Sequence, residues 1–160
     1  MRIWSHTDGG RSMVRAMAGQ YGMSQTALLI QQGKYEAAIE EATREIAKEE
    51  KEPAHFLERA QALAILDRHA EAVADLETAI RLDEDEVLDA DRVDDEYFSA
   101  LLGVAKKEAA ASVAAGVARL GRYREILPEG SHKKDAEDWQ KRLRGELKSE
   151  FVKQRNEPEA

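Results

Sequence analysis

Cysteine is absent from the 160-residue chain, so disulfide bonds and thiolate metal sites are both excluded. Aromatic residues make up only 6% of the sequence and proline occurs three times, whereas alanine, glutamate, leucine and arginine are abundant. Long apolar runs are also lacking, so we expect neither a signal peptide nor a membrane span. This composition is typical of packed α-helices in a chain of one domain. We therefore expect a soluble, cytoplasmic all-α protein.

The formal net charge of −8 is concentrated in one short stretch of the chain. Residues 83–96 hold nine acidic side chains and a single arginine, so this acidic stretch carries a charge equal to the whole excess. Because phosphate binding needs a basic surface, nucleic acid is not expected as a partner. The acidic residues are Asp83, Glu84, Asp85, Glu86, Asp89, Asp91, Asp94, Asp95 and Glu96.

The acidic stretch has two interpretations. In the first, mutual repulsion keeps it as an extended, solvated insertion, with Val87, Leu88 and Val93 holding it to the body of the protein. In the second, its negative field attracts a basic partner to this surface. A calcium-binding loop is not favoured, because the glycine and the closing glutamate that such a loop requires are missing at the required offsets.

The chain matches itself at a spacing of 34 residues. Residues 33–40 (GKYEAAIE) align without a gap onto residues 67–74 (DRHAEAVA), and the flanking Leu29 aligns onto Leu63. A repeat of about 34 residues has the length of one helix-turn-helix unit, which is stable only when it is stacked on neighbouring units. The spacing therefore predicts consecutive pairs of antiparallel helices.

Helical periodicity predicts where these pairs begin. The first helix is predicted over residues 13–32, capped by Ser12 and interrupted by two glycines. Gly33 closes it and a second helix follows. Pro53 then begins the next unit at a first-turn position that suits proline.

Residues 20–83 resemble two tetratricopeptide repeats, with the small Ala38, Ala60, Ala72 and Ala79 where that family packs helices closely, and with Gly33-Lys34-Tyr35 at the turn. The resemblance implies a short right-handed α-solenoid of antiparallel helix pairs with a C-terminal capping helix.

A third turn is predicted at residues 121–123 (GRY), after a long helix over about residues 97–120. The expected organisation is an irregular arm (1–11), one helical domain (12–154) and a frayed tail (155–160). The domain is expected to contain two units (19–52 and 53–83), an acidic insertion (84–96), a degenerate third unit (97–130) and a capping helix (132–154). Ser131 is the expected N-cap of this last helix.

The same resemblance implies that the chain binds a segment of another protein. In the family, the first helix of each unit lines a concave groove that holds a peptide or helix of a partner. A carboxylate clamp is not expected, because Glu58 and Glu108 occupy two of the places where clamp members carry basic or amide side chains. Carried over position by position, the implied groove lining is mainly apolar: Met23, Ala27, Ile30, Leu57, Gln61, Ala64, Ile65, Ala111, Ala115 and Arg119.

The sequence leaves the occupant of this groove open. An apolar or amphipathic segment of a partner protein is the leading interpretation, with the chain acting as an adaptor or chaperone. The alternative is a structural subunit whose groove is filled by self-association, by its own arm or by its last helix.

Motifs for catalysis are lacking. His6 and Asp8 have the spacing of a His/Asp pair, but no nucleophile follows nearby, and His55, His69 and His132 are scattered. The sequence contains no phosphate-binding glycine motif, no paired helical histidines with a glutamate and no nucleophile elbow. We therefore expect a protein that is not an enzyme and that binds no cofactor and no metal.

Overall fold

The computed structural model of the protein describes residues 22–146, and all regular structure in this range is helical. The prediction of an all-α chain is confirmed there, and no helix of the described range combines the length and hydrophobicity that crossing a membrane requires. The arm 1–11, the Ser12 cap and the tail 155–160 lie outside the described residues. The helices are α1 (Gln25–Gln31), α2 (Tyr35–Lys48), α3 (Pro53–Ile65), α4 (His69–Leu82), α5 (Ala90–Ala111), α6 (Val113–Ile126) and α7 (Lys133–Leu143).

The turns from α1 to α2 and from α3 to α4 have the same backbone geometry 34 residues apart. Gly33 and Asp67 both have positive φ angles, of 75° and 58°. At each turn, this residue and the next donate their amide hydrogens to carbonyls three and five residues back, at 3.0 and 2.9 Å. This pattern is a Schellman motif, which satisfies the last carbonyls of one helix and allows the next to begin at once. Both turns therefore fall where the repeat predicts them.

Consecutive helices pack against each other along the whole described chain, and α1 also contacts α3, α3 contacts α5, and α5 contacts α7. The alanines at the expected close-packing positions are all buried. The absence of larger side chains at these positions allows the helix axes to approach closely. The largest fully buried side chains are Tyr97, Tyr123, Leu76, Leu101, Leu120 and Thr26.

The single long helix predicted over residues 97–120 is wrong, because the chain reverses direction at Ser112. This residue has extended backbone (φ −151°, ψ 113°) and ends α5. Its hydroxyl accepts a hydrogen bond from the Ala115 amide at 3.3 Å and so caps α6. Serine is a preferred N-cap residue because its side chain replaces a missing backbone acceptor at a helix start.

Helices α5 and α6 consequently form a tight antiparallel hairpin. A β-carbon at Gly116 would lie 2.6 Å from the Ala105 carbonyl oxygen, so only glycine permits this approach of the two backbones. The third turn predicted at residues 121–123 is also wrong, because these residues lie within α6. Tyr123 is fully buried there and stacks on Tyr97 of α5, with ring centroids 6.2 Å apart.

The acidic stretch is part loop and part helix, which corrects the extended insertion predicted over residues 84–96. Helix α5 begins at Ala90, so the second half of the stretch is helical. The carboxylate of Asp83 accepts hydrogen bonds from the Val87 and Leu88 amides at 2.9 and 3.2 Å, and this organises the loop. Leu88 packs against the core and Val93 is buried within it, as predicted, whereas Val87 is exposed.

Helix α1 is shorter than the helix predicted over residues 13–32. Ser24 has extended backbone, and its hydroxyl accepts a hydrogen bond from the Ala27 amide at 3.0 Å, so the helix begins at Gln25. Gly22 has a φ angle of 71°, outside the helical region. The sequence leaves open whether the first helix continues through its two glycines, and this φ angle shows that it does not continue through Gly22. The residues before Gly22 lie outside the described range.

Helix α7 is shorter than the capping helix predicted over residues 132–154. It ends at Leu143, because Gly145 has a φ angle of 79° and the next amide donates to the Lys141 carbonyl at 2.8 Å in another Schellman motif. The N-cap is His132 and not Ser131, because the Ser131 hydroxyl donates its hydrogen bond to Asp94. Residues 147–154 lie outside the described range.

Candidate functional site

Two hydrogen bonds connect α1, α3 and α5 on the surface where these helices meet. The Ser24 hydroxyl donates to Glu58 Oε1 at 2.5 Å, and the Gln61 side-chain amide donates to Glu96 Oε1 at 2.9 Å. Arg92 Nε also donates to Glu96 Oε1, at 3.2 Å. We call the surface formed by these five residues and by Ile65 the odd-helix face. Of these six residues, Gln61 and Ile65 belong to the groove lining expected from the sequence.

The odd-helix face is polar and acidic, which differs from the mainly apolar lining expected from the sequence. Burial raises the pKa of the Glu58 carboxyl, and the hydrogen bond from Ser24 opposes this rise. Burial likewise raises the pKa of Glu96, against the hydrogen bonds from Gln61 and Arg92. Two half-buried carboxyl groups from neighbouring odd-numbered helices therefore share one surface with a single arginine.

Only some of the groove residues expected on α1 and α3 lie on the odd-helix face. Glu58, Gln61 and Ile65 follow each other at spacings of three and four residues, which places them in one stripe along α3. Ile65 is 49% exposed, whereas Leu57 is 6% exposed and belongs to the hydrophobic core. The expectation that Leu57 lines a groove is therefore wrong. The remaining expected positions, Met23, Ala27, Ile30 and Ala64, are half-buried.

The lining expected in the third unit is divided between two helices, because the single long helix predicted there is interrupted at Ser112. Ala111 is the last residue of α5, while Ala115 and Arg119 lie on α6 after the reversal at Ser112. Arg119 pairs with Glu108 through two hydrogen bonds, of 2.7 and 3.2 Å. This ion pair joins the two helices of the hairpin.

Most residues of the expected acidic patch make hydrogen bonds or ion pairs within the protein. Asp83 organises the loop, and Asp89 caps α5 by accepting a hydrogen bond from the Arg92 amide at 3.2 Å. Asp94, Asp95 and Glu96 bond to residues of other elements. The exposed acidic residues that remain at the start of the stretch are Glu84, Asp85, Glu86 and Asp91.

Asp94 is the centre of a buried polar cluster that sequence analysis missed. The Tyr123 hydroxyl donates a short hydrogen bond to Asp94 Oδ1, and Ser131 donates to Oδ2 through its amide at 2.7 Å and its hydroxyl at 2.8 Å. The Tyr123 oxygen in turn accepts from the His132 amide at 2.9 Å. Burial raises the pKa of Asp94, but these hydrogen bonds outweigh it and hold the pKa below its usual value. The cluster joins α5, α6 and the start of α7.

His132 extends this cluster to the surface. Its ring nitrogens lie 2.7 Å from Asp95 Oδ1 and 2.8 Å from Asp135 Oδ2, and its ring stacks on Phe98 with centroids 4.6 Å apart. Burial lowers the pKa of the imidazole, but the two aspartates more than offset this, so the pKa is raised above 6.5. A protonated His132 donates to both carboxylates at once.

We expect His132 to make stability depend on pH. Because its pKa is higher in the folded than in the unfolded protein, its contribution is fully present below about pH 6.5 and is lost as pH rises through the folded-state pKa. Urea unfolding of the wild type and of His132→Gln between about pH 5.5 and about pH 9 should give a difference in unfolding free energy that is largest at the acidic end. A difference independent of pH would contradict this prediction.

Within residues 22–146 the chain is an all-α protein with a polar surface shared by alternate helices, while His6 and Asp8 lie outside that range. Comparisons with protein-family models, with curated proteins and with solved structures found no match.

Proposed function

We propose that the chain is a tetratricopeptide-like protein that forms a short right-handed α-solenoid. The repeated turn supports this proposal, because Gly33 and Asp67 adopt the same conformation with the same hydrogen bonds 34 residues apart. The contacts between alternate helices support it further. In a solenoid of helix pairs, the first helices of successive units stack in one layer, and α1, α3 and α5 contact each other in that order.

The hairpin of α5 and α6 is a third helix pair in this proposal, and α7 is the cap. Helix α7 packs on α6 and also contacts α5, so it covers the end of the last pair. A terminal element with a polar outer surface is what a short array needs to remain soluble. The third pair thus begins at Ala90, inside the stretch that the sequence assigns to an insertion.

As its function, we propose a non-enzymatic protein–protein interaction module that acts as an adaptor or a chaperone. The observation that carries this proposal is the odd-helix face, where the half-exposed Ile65 lies on the same stripe as the partly buried Glu58. An amphipathic partner segment suits this face, with an apolar anchor on Ile65 and basic side chains near Glu58 and Glu96.

Replacing Ile65 by lysine should abolish partner binding without unfolding the protein. The change removes the apolar anchor and places a positive charge beside the expected basic side chains of the partner, while half-exposed positions tolerate lysine. We expect proteins that the wild type captures from a lysate to be lost with Ile65→Lys, as measured by affinity capture and mass spectrometry.

The matched control is Val113→Lys, because Val113 is also aliphatic and is exposed to a similar extent, 45%, at the start of α6. The control should retain the captured proteins. Identical capture by all three proteins would refute binding at the odd-helix face. If the wild type captures nothing and sediments as a concentration-dependent oligomer, the alternative of a self-associating structural subunit replaces this proposal.

The other alternative, a basic partner bound at the acidic stretch, has weaker support. Five of its nine acidic residues cap, pair or bond within the fold, which leaves four exposed carboxylates near the loop between α4 and α5. A partner that binds there would be unaffected by Ile65→Lys, so the same capture experiment distinguishes the two surfaces.

A further inference from the structure

Three side chains that commonly bind metals meet where α2 ends and α3 begins. One ligand atom from each of Glu45, Glu49 and His55 lies within 4.8 Å of the others. The imidazole Nε2 of His55 is 3.3 Å from Glu49 Oε1. The sequence signal is Glu-x3-Glu followed by a histidine six residues later. The absence of cysteine and of paired histidines, on which the expectation of no metal site rests, does not exclude this combination.

The local structure fixes the arrangement of these three residues. Glu45 lies in the last turn of α2, and Glu49 is the C-cap, whose amide donates to the Glu45 carbonyl at 2.9 Å. The two residues therefore lie on the same side of the helix end. Pro53 occupies the first turn of α3, where its fixed φ angle suits a helix start, and the Glu52 side chain caps this helix. His55 follows in the same first turn. The short connection therefore brings the imidazole back onto the end of α2.

Burial differs among the three side chains in a way that suits a metal ion. Glu45 and His55 are only 12% and 17% exposed, whereas Glu49 is 55% exposed. An ion held there would be bound by two largely buried side chains, Glu45 and His55, and by the exposed Glu49. Water could fill its remaining coordination positions. Lys48 Nζ lies 3.7 Å from Glu45 Oε1, but the Lys48 side chain is largely exposed and can move into solvent when a cation approaches.

We propose that Glu45, Glu49 and His55 form a binding site for a divalent transition-metal ion of the zinc type. An imidazole together with two carboxylates is a donor set for such ions, whereas calcium and magnesium prefer oxygen ligands alone. Ligand atoms about 2.0–2.2 Å from a tetrahedral zinc ion are about 3.3–3.6 Å apart, and the separation of His55 Nε2 and Glu49 Oε1, 3.3 Å, falls in this range. The ion would connect the second helix of one pair to the first helix of the next.

Isothermal titration of the full chain with zinc sulfate at about pH 7.5 tests the site. We expect one saturable zinc per chain. Glu49→Gln and His55→Ala should each weaken zinc binding by more than about tenfold. Zinc should also raise the midpoint of thermal unfolding of the wild type, because it binds the folded state, and should not do so for Glu49→Gln. Magnesium sulfate should have neither effect.

The matched control is His69→Gln, since His69 also lies at a helix start near a carboxylate, with Nε2 3.5 Å from Asp67 Oδ1. This control should bind zinc as the wild type does. Glu49 is exposed, so Glu49→Gln remains folded and decides the question even if His55→Ala is destabilised. No saturable binding by the wild type, or binding that Glu49→Gln leaves unchanged, would overturn the proposal.

Discussion

Replacing Asp94 with alanine will lower the free energy of unfolding by about 3 kcal/mol or more. The substitution removes the acceptor of three hydrogen bonds, from the Tyr123 hydroxyl and from the amide and hydroxyl of Ser131. Hydrogen bonds to a charged group contribute about 1.5–3 kcal/mol each, and a buried donor left without an acceptor costs about 1–3 kcal/mol. Because these groups form one network, the loss will be less than the sum of the separate bonds.

Urea unfolding followed by circular dichroism measures this effect, with Asp91→Ala as the matched control. Asp91 is an exposed aspartate in the first turn of the same helix, so its removal should cost no more than about 1 kcal/mol through the helix dipole. Tyr123→Phe should fall between the two, since it removes one of the three donors to Asp94 and the acceptor of the His132 amide, but keeps the aromatic packing. Equal unfolding free energies for Asp94→Ala and Asp91→Ala would show that the network does not stabilise the fold.

The sequence predicted the elements that depend on local chemistry. The turns at Gly33 and Asp67 are predictable because a short, specific backbone motif repeats with the same apolar flanks. The proline start of α3 was found because proline has few other places in a helical chain. The α5–α6 hairpin was missed because its reversal depends on one serine cap and on close backbone contact at Gly116, which alanine-rich helical periodicity conceals.

The candidate site was less predictable because it depends on helix orientation. On α3, Leu57 and Ile65 both fit an apolar pattern, and only the packing of the neighbouring helices decides which one faces the core. Likewise, Glu96 and Asp94 were assigned together to a charged insertion, although one bonds to Gln61 across the odd-helix face and the other to Tyr123 in the core. Composition does not show which of two such residues faces the core, since side chains two positions apart on a helix point in different directions.

Leu57→Glu will unfold the protein, or destabilise it by at least about 5 kcal/mol, although the family resemblance implies that Leu57 lines a binding groove. Leu57 is 6% exposed and belongs to the core, so the change removes its apolar contacts and forces a carboxylate into their place. Lost packing costs about 2–5 kcal/mol at a core leucine, and an unpaired polar group in an apolar site adds several more. Because the total stability of a small domain is about 5–15 kcal/mol, a loss of this size removes at least about a third of it and, at the lower end of that range, all of it.

A glutamate at Ile65, two turns later on the same helix, is the control for Leu57→Glu. Ile65→Glu lies at a half-exposed position on the same helix, so its carboxylate remains in water and the unfolding free energy should change by no more than about 1 kcal/mol. Far-ultraviolet circular dichroism at about 25 °C and urea unfolding of both variants measure the difference. A stable, fully helical Leu57→Glu would mean that α3 turns a different face to the core. The stripe of Glu58, Gln61 and Ile65 would then no longer define the odd-helix face.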